Sequence, residues 1–364
     1  MTVNQARGYL YEIFIAHLLE QNHFLRCQKG NATNNLHKCG VSSTDGEVLG
    51  RGTHHQIDFV GVYEKHIPFI YPIRLLAECK FWTKGDNYIS VDKSFIREYI
   101  GVYKDISENY FSLHMKKYTR FLDVPIIFSA GGFDDEAEKL AWSHGINIVS
   151  HSKIPILRDI LDFIDSLVKL IPEVYFTDKQ KFKRLKDIVF KVIRGTLPEE
   201  MRSDINRLIK HIQTKSRTPD LDIDLLTELL NKSRNLKYKT FLFATTEYGK
   251  LINLISYDEF PDNLFFEQES QDCAIFFNEP AVENEERQDR VFYIELTNDV
   301  TNSKFYFQAN EEMMLEGFSR RSLEERINAK EQYFKKLSII KEINGLTRLI
   351  TINVNFENII NRVQ

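Results

Sequence analysis

The stretch from Gly50 to Trp82, GRGTHHQIDFVGVYEKHIPFIYPIRLLAECKFW, restricts the fold more than any other part of the chain. It holds two runs with the two-residue alternation of β-strands. In the first, His55 to Val62, the alternation puts Gln56, Asp58 and Val60 on one side and Ile57 and Phe59 on the other. In the second, Ile73 to Trp82, Ile73, Leu75, Ala77, Cys79 and Phe81 form a nearly unbroken apolar side. Glu78 and Lys80 therefore project together from the opposite side. Asp and Glu are depleted in strands, so acids at strand interiors ask for a reason. If the two runs pair, Asp58 joins Glu78 and Lys80, placing two carboxylates and an ammonium beside one sheet.

That grouping has a definite chemical use. Mg²⁺ takes one or two carboxylates and completes its shell with waters and substrate phosphates. A neighbouring lysine orients or deprotonates the attacking water, or offsets charge on the phosphorane, while the metal lowers the pKa of the water. This is equipment for phosphodiester hydrolysis. Asp, Glu and Lys are common residues, and the same spacing also arises by chance.

The motifs resemble those of the PD-(D/E)xK nucleases, in particular the Mrr-like restriction endonuclease branch. The resemblance is carried by Asp58 in HQIDFVG and by Glu78-Cys79-Lys80 in LLAECKFW. Upstream, Gly8-Tyr9-Leu10-Tyr11-Glu12 is similar to the family's helix with an accessory acid. Downstream, SFIREYIGVYKDI (Ser94 to Ile106) resembles the helix after the lysine strand, and PIIFSAGGFDDEAEKLAWSHGINIVS (Pro125 to Ser150) the strand–helix–strand that closes the domain. Ile57 stands where the family often has proline. The resemblance covers residues 3–150. It implies a restriction-endonuclease-like α/β fold, a mixed central sheet flanked by helices, and DNA cleavage with Mg²⁺ (Mn²⁺ substituting) in restriction or anti-phage defence. It further implies Asp58, Glu78 and the Cys79 backbone carbonyl as metal ligands, Lys80 as the residue that positions water, and Glu12 and Gln56 in supporting roles. It also implies a homodimer and a second defence-system subunit as partners. A catalytically silent nuclease-fold subunit that binds DNA or protein is the alternative, although the complete Asp–Glu–Lys set argues against a decayed site.

Composition narrows the rest. The chain has 364 residues, 43% hydrophobic and 27% charged, and a formal net charge of −4. Such a chain has room for two or three domains. It has no overall basic field, so any DNA-binding surface is local. No apolar run reaches membrane-spanning length, and MTVNQARGYLYE has no signal-peptide core, so a cytoplasmic protein is expected. Four cysteines are too few for a disulfide framework. A zinc reading would combine Cys27, His37 and Cys39 with His54 or His55, without the CxxC knuckle that structural zinc sites favour.

Taken in order, residues 6–22 read as an amphipathic helix with Leu10, Phe14 and Leu18 on its stripe and Glu12 off it. Gln28 to Arg51 has loop composition, and Arg26, Lys29, Lys38 and Arg51 are available for phosphates. Ser90 to Asn109 is an apolar-striped helix, with Lys84, Lys93 and Arg97 near its start and facing the scissile strand in this reading. A short basic loop, His114 to Arg120, follows. Val124 to Ala130, a helix capped near Asp135, and Ile146 to Val149 make a βαβ-like unit. Its Gly131-Gly132 lacks the GK[ST] of a nucleotide loop.

A nuclease domain is expected over residues 1–170 and a helical basic segment over 171–235. Residues 177–217 carry a local charge of +7, from 12 Lys and Arg against 5 Asp and Glu. Lys181, Lys183 and Arg184 lie in its amphipathic run and are candidate DNA contacts. An α+β domain with an antiparallel sheet is expected over 236–364, interrupted by helices near residues 248–256 and 321–342. Between Asp258 and Asp299, 13 acids face Arg287 and Arg290, a surface that repels DNA.

Overall fold

A computed structural model of the chain describes residues 2–27, 39–41, 47–64, 71–85, 87–109, 120–152, 154–213, 223–236, 239–247, 249, 251–277, 291–308 and 334–354. The first helix, α1 (Val3–Gln21), opens on a capping box in which Thr2 and Gln5 satisfy each other's backbone N–H groups. It is not amphipathic. Leu10, Tyr11, Ile13, Phe14, Ile15, Ala16, Leu18 and Leu19 are buried around its whole circumference. A helix apolar on all sides belongs inside a domain, and helices from later in the chain cover the side that the sequence leaves to solvent.

The central sheet has the order β1-β4-β5-β8-β9, from β1 (Phe24–Arg26), β4 (Phe59–Tyr63), β5 (Ile73–Lys80), β8 (Leu122–Ser129) and β9 (Asn147–Ser150). The β1/β4 and β4/β5 pairs are antiparallel, and β5/β8 and β8/β9 are parallel. Two short ladders flank it: β2 (Val48–Leu49) with β3 (His54–His55), and β6 (Thr83–Lys84) with β7 (Asn87–Tyr88). The first predicted strand is thus two pieces. The chain leaves β3 after His55, bends at Asp58, and enters β4 at Phe59. In the second run the predicted apolar side holds, because Leu75, Ala77, Cys79 and Phe81 are buried in one core with α1.

Helices cover both faces. Against one lie α1 and α4 (Pro155–Leu170), whose Leu157, Ile160, Leu161, Ile164 and Leu167 are buried with Phe59 and Phe128. Against the other lie α2 (Lys93–Ser107) and α3 (Asp135–Ser143), with Ile96, Tyr99, Ala137 and Ala141 packed on Ile127. The α3 cap is Asp134 rather than Asp135, its carboxylate accepting from the Ala137 N–H at 2.6 Å. The chain continues through α5 (Val174–Thr177), α6 (Lys179–Ile193), α7 (Arg202–Gln213) and α8 (Ile223–Ser233). Phe182, Leu185, Ile188, Val189 and Val192 of α6 and Leu226 and Leu230 of α8 join the same core as α1.

Residues 240–354 form a closed seven-stranded barrel of order β10-β11-β14-β13-β12-β16-β15. Its strands are β10 (Thr240–Thr246), β11 (Leu251–Ser256), β12 (Ser270–Phe277), β13 (Val291–Leu296), β14 (Phe305–Gln308), β15 (Lys336–Ile343) and β16 (Leu346–Val354). This corrects the expected α+β arrangement. Residues 251–256 and 336–343 are strands, while 321–333 of the second expected helix lie outside the described residues; Phe334, just beyond them, is helical, and a 3₁₀ turn spans Asp262–Phe265. The β-branched character of LINLIS and KLSIIKEI suits a pleated, half-buried surface. Asn344 and Gly345 join β15 to β16 with φ of +53° and +73°, the left-handed pair that a two-residue hairpin turn requires. Phe292, Phe305, Phe307 and Phe334 fill the barrel core. Among the described residues, no helix is long and apolar enough to cross a membrane.

One buried ion pair ties the sheet together. Arg74 on β5 donates to both carboxylate oxygens of Asp123 on the adjoining β8, at 2.6 and 2.9 Å, and to the Cys39 carbonyl at 2.8 Å. Its guanidinium stacks 4.7 Å from the centre of the Phe121 ring. Breaking such a pair strands a buried charge, so Arg74→Met should cost about 3–5 kcal/mol, measurable as a lowered urea midpoint at unchanged slope.

Candidate functional site

The register of the sheet builds the site. Phe59 lies opposite Ala77, so Asp58, one residue earlier, meets the end of β5 beside Glu78. Its carboxylate accepts the Cys79 backbone N–H at 2.8 Å. The loop leading to Asp58 is held from α2: Asp105 accepts from the Gly52 N–H at 2.9 Å and pairs with His55 Nε2 at 2.8 Å. Lys80 turns back along the strand to donate to Glu78 at 2.7 Å, with Asp58 at 3.9 Å. The Lys80 ammonium also rests 4.6 Å from the centre of the Phe95 ring of α2, a cation–π contact that fixes its direction. Asp58, Glu78 and Lys80 therefore converge, as their spacing predicts.

The three are poorly solvated. Glu78 is only 8% exposed. Burial, and then the adjacent Asp58 charge, push its carboxyl up to about 7 against the pull of Lys80. Burial alone would lower the Lys80 ammonium, but Glu78 and Asp58 outweigh it and hold it above its ordinary value. Two acids crowded into a desolvated corner with one ammonium favour a further cation.

Glu12 stands on α1 across from this group. Burial raises its carboxyl to about 8, Asp58 adding to the rise, while Lys186, Lys80 and Arg26 oppose it. Glu12 is thus the half-buried acid of a helix otherwise sunk in the core. Gln56 is exposed, two residues before Asp58 in the connecting segment.

The predicted nucleic-acid contacts are dispersed. Lys84 and Arg97 are exposed, on β6 and α2. On α6, Lys183 and Arg184 are exposed, whereas Lys181 is buried and lies 3.7 Å from the Asp178 carboxylate. Lys93 pairs with Glu136 and Arg51 with Glu108. Lys29, Lys38 and most of the basic loop at 114–120 lie outside the described residues. So does His37 of the zinc reading, in which Cys27 and Cys39 meet each other and His55 is turned to Asp105. Among the described residues no group of three or more His, Cys, Asp or Glu is arranged to hold a metal. Asp58 and Glu78 still suit Mg²⁺, which needs one or two carboxylates and takes its remaining oxygens from water and phosphate.

Nothing in the local sequence pattern pairs Lys186 with Tyr9. Lys186 lies among eleven other basic residues of its segment, and only the packing of α6 against α1 selects it.

No family model matches the chain, and no curated protein matches it. A solved structure described as the crystal structure of a protein of unknown function, AF1548, is similar over 57% of this chain and 99% of its own. The identity is 18% and the TM-score 0.30, a likeness too slight to assign a fold.

Proposed function

We propose that this chain is a metal-dependent endonuclease that hydrolyses DNA phosphodiester bonds, in the manner of the Mrr-like restriction enzymes its motifs resemble. The observation that carries this reading is the convergence of Asp58, Glu78 and Lys80 at one end of β5, with the two acids crowded against a single ammonium. Asp58 and Glu78 would hold Mg²⁺, with the Cys79 carbonyl as a further oxygen ligand. The ion would lower the pKa of a bound water and stabilise the leaving oxygen. Lys80, steered by Phe95 and Glu78, orients the attacking water and offsets charge that builds on the phosphate. The Cys79 N–H fixes one Asp58 oxygen, and the hydrogen bond that Asp58 shares with Glu78 would give way to the ion. Glu12, protonated near neutral pH, can pass a proton to or from water at the rim. Gln56, exposed two residues before Asp58, would touch the strand.

The test is supercoiled plasmid incubated with the purified chain, with Mg²⁺, with Mn²⁺, and with EDTA. Nicked and linear products that need the metal are expected. Intact plasmid, with DNA still retained by the protein, would instead favour the silent binding subunit.

A further inference from the structure

We propose that Lys186 binds a backbone phosphate of the nucleic-acid strand that enters the carboxylate site, so that α6 forms one wall of that site. The inference rests on the nuclease reading above.

Lys186 is half-buried, and its ammonium lies 4.7 Å from the centre of the Tyr9 ring and 5.8 Å from that of Phe182. Tyr9 and Phe182 touch each other, centroids 6.0 Å apart, and Phe182 is anchored on Phe176. This aromatic shelf holds the lysine stem in one direction. Among the described residues, however, the ammonium has no ion pair. The charges that act on it are Glu12 on α1, Asp187 on its own helix, and Arg26, which repels it. An ammonium withdrawn from water without a hydrogen-bonded counter-charge is unfavourable, and an aromatic face offsets only part of that. Burial accordingly lowers its pKa. The position calls for an anion from outside the chain.

Its location says which anion. Lys186 sits on the ring of Tyr9, which lies on α1 one turn before Glu12, and Glu12 in turn feels Asp58 and Lys80, so Lys186 borders the group that would grip the scissile phosphate. Arg26, from β1, lies 5.7 Å from the centre of the Phe59 ring and adds a second cation to that rim. A nucleic-acid strand carries phosphates at regular spacing, and a neighbour of the scissile phosphate would meet this cationic edge. Tyr9, 41% exposed, offers a ring beside it. The exposed Lys183 and Arg184 do not share these contacts, and Lys181 faces inward.

The experiment uses the full chain carrying Asp58→Asn, to keep the probe intact, and follows the anisotropy of a fluorescein-labelled linear duplex across a KCl series. One phosphate contact contributes a slope of about −0.9 in log K against log salt. Lys186→Ala should therefore weaken binding about fivefold near 0.15 M salt and flatten the slope by about 0.9. Lys186→Met, which keeps the apolar stem over Tyr9, should show the same loss, and Lys186→Arg should restore both values. In the otherwise wild-type chain, Lys186→Ala should raise KM for plasmid more than it lowers kcat. Unchanged affinity and slope in Lys186→Met would overturn the inference. A wild-type chain that leaves plasmid uncut, yet binds duplex in a Lys186-dependent way, would remove the nuclease reading and keep the phosphate contact.

Discussion

Asp58→Asn should abolish metal-dependent plasmid cleavage while leaving the fold as stable as before, or more so. The amide oxygen can still accept the Cys79 N–H, so the bend before β4 is kept. The negative charge that destabilises ionised Glu78 and Glu12 is removed. Activity should fall by at least about 10²–10³-fold, the scale for loss of one preorganised electrostatic group. The melting temperature without metal should stay level or rise. Lys80→Met should match the loss of activity but not the stability. Without its ammonium, Glu78 and Asp58 face each other in a buried corner with nothing to offset them, and melting should drop, most at alkaline pH. Equal cutting by wild type and both variants would exclude this site as the centre of the chemistry. A collapse of Asp58→Asn would mean that the carboxylate holds the fold rather than serving a ligand.

The second large effect is on stability against pH. Glu78 and Glu12 are held at about 7 and about 8, against 4.5 for an ordinary glutamate. Between pH 4.5 and 8 the folded chain thus keeps protons that the unfolded chain has released. Stability contributed by these two groups is complete below 4.5 and is lost as pH rises through 7 and 8. His151, buried against Tyr11 and Phe128, acts in the opposite sense. Burial lowers its pKa to about 3, so the unfolded chain binds the extra proton below 6.5 and stability is lost as pH falls. The useful readout is therefore the difference between wild type and Glu12→Gln. That difference should be small near pH 5 and should favour the variant increasingly toward pH 8. Mg²⁺ should raise wild-type melting more at pH 8 than at pH 5.5, because only ionised carboxylates bind it. Parallel melting curves for the two proteins from pH 5 to 8, with no metal shift at either end, would contradict the crowded-acid account.

Where local pattern and tertiary structure disagree, the cause is identifiable. The run His55 to Val62 alternates well enough for one strand, yet the chain breaks at Asp58, whose carboxylate caps the Cys79 N–H rather than lying in a ladder. Residues 251–256 and 336–343 have helix-compatible apolar spacing, but their β-branched content and the Asn344-Gly345 pair favour strands. That dipeptide is a strong hairpin signal, and it lies just past a segment whose apolar spacing also fits a helix. Helix α1 reads as two-sided from its Leu10, Phe14 and Leu18 stripe, although it also carries Arg7, Tyr9, Glu12 and Glu20. Three of them meet partners from elsewhere: Arg7 pairs with Asp165, Glu20 with Arg194, and Tyr9 packs on Phe182.

What the amino-acid sequence determined by itself was local. Strand period places Leu75, Ala77 and Cys79 on one face of β5 and Glu78 and Lys80 on the other, and that alternation needs no other part of the chain. The same holds for the helix caps at Thr2, Asp92 and Asp178, where a side chain reaches only its own next turn. What only the tertiary structure decided was which distant groups share a space. Glu12 comes to Asp58, Lys186 to Glu12, and β12 closes the barrel by lying parallel to β16. Those meetings depend on how whole helices and strands pack to bury apolar surface, a property of the assembled core that no short window of residues encodes.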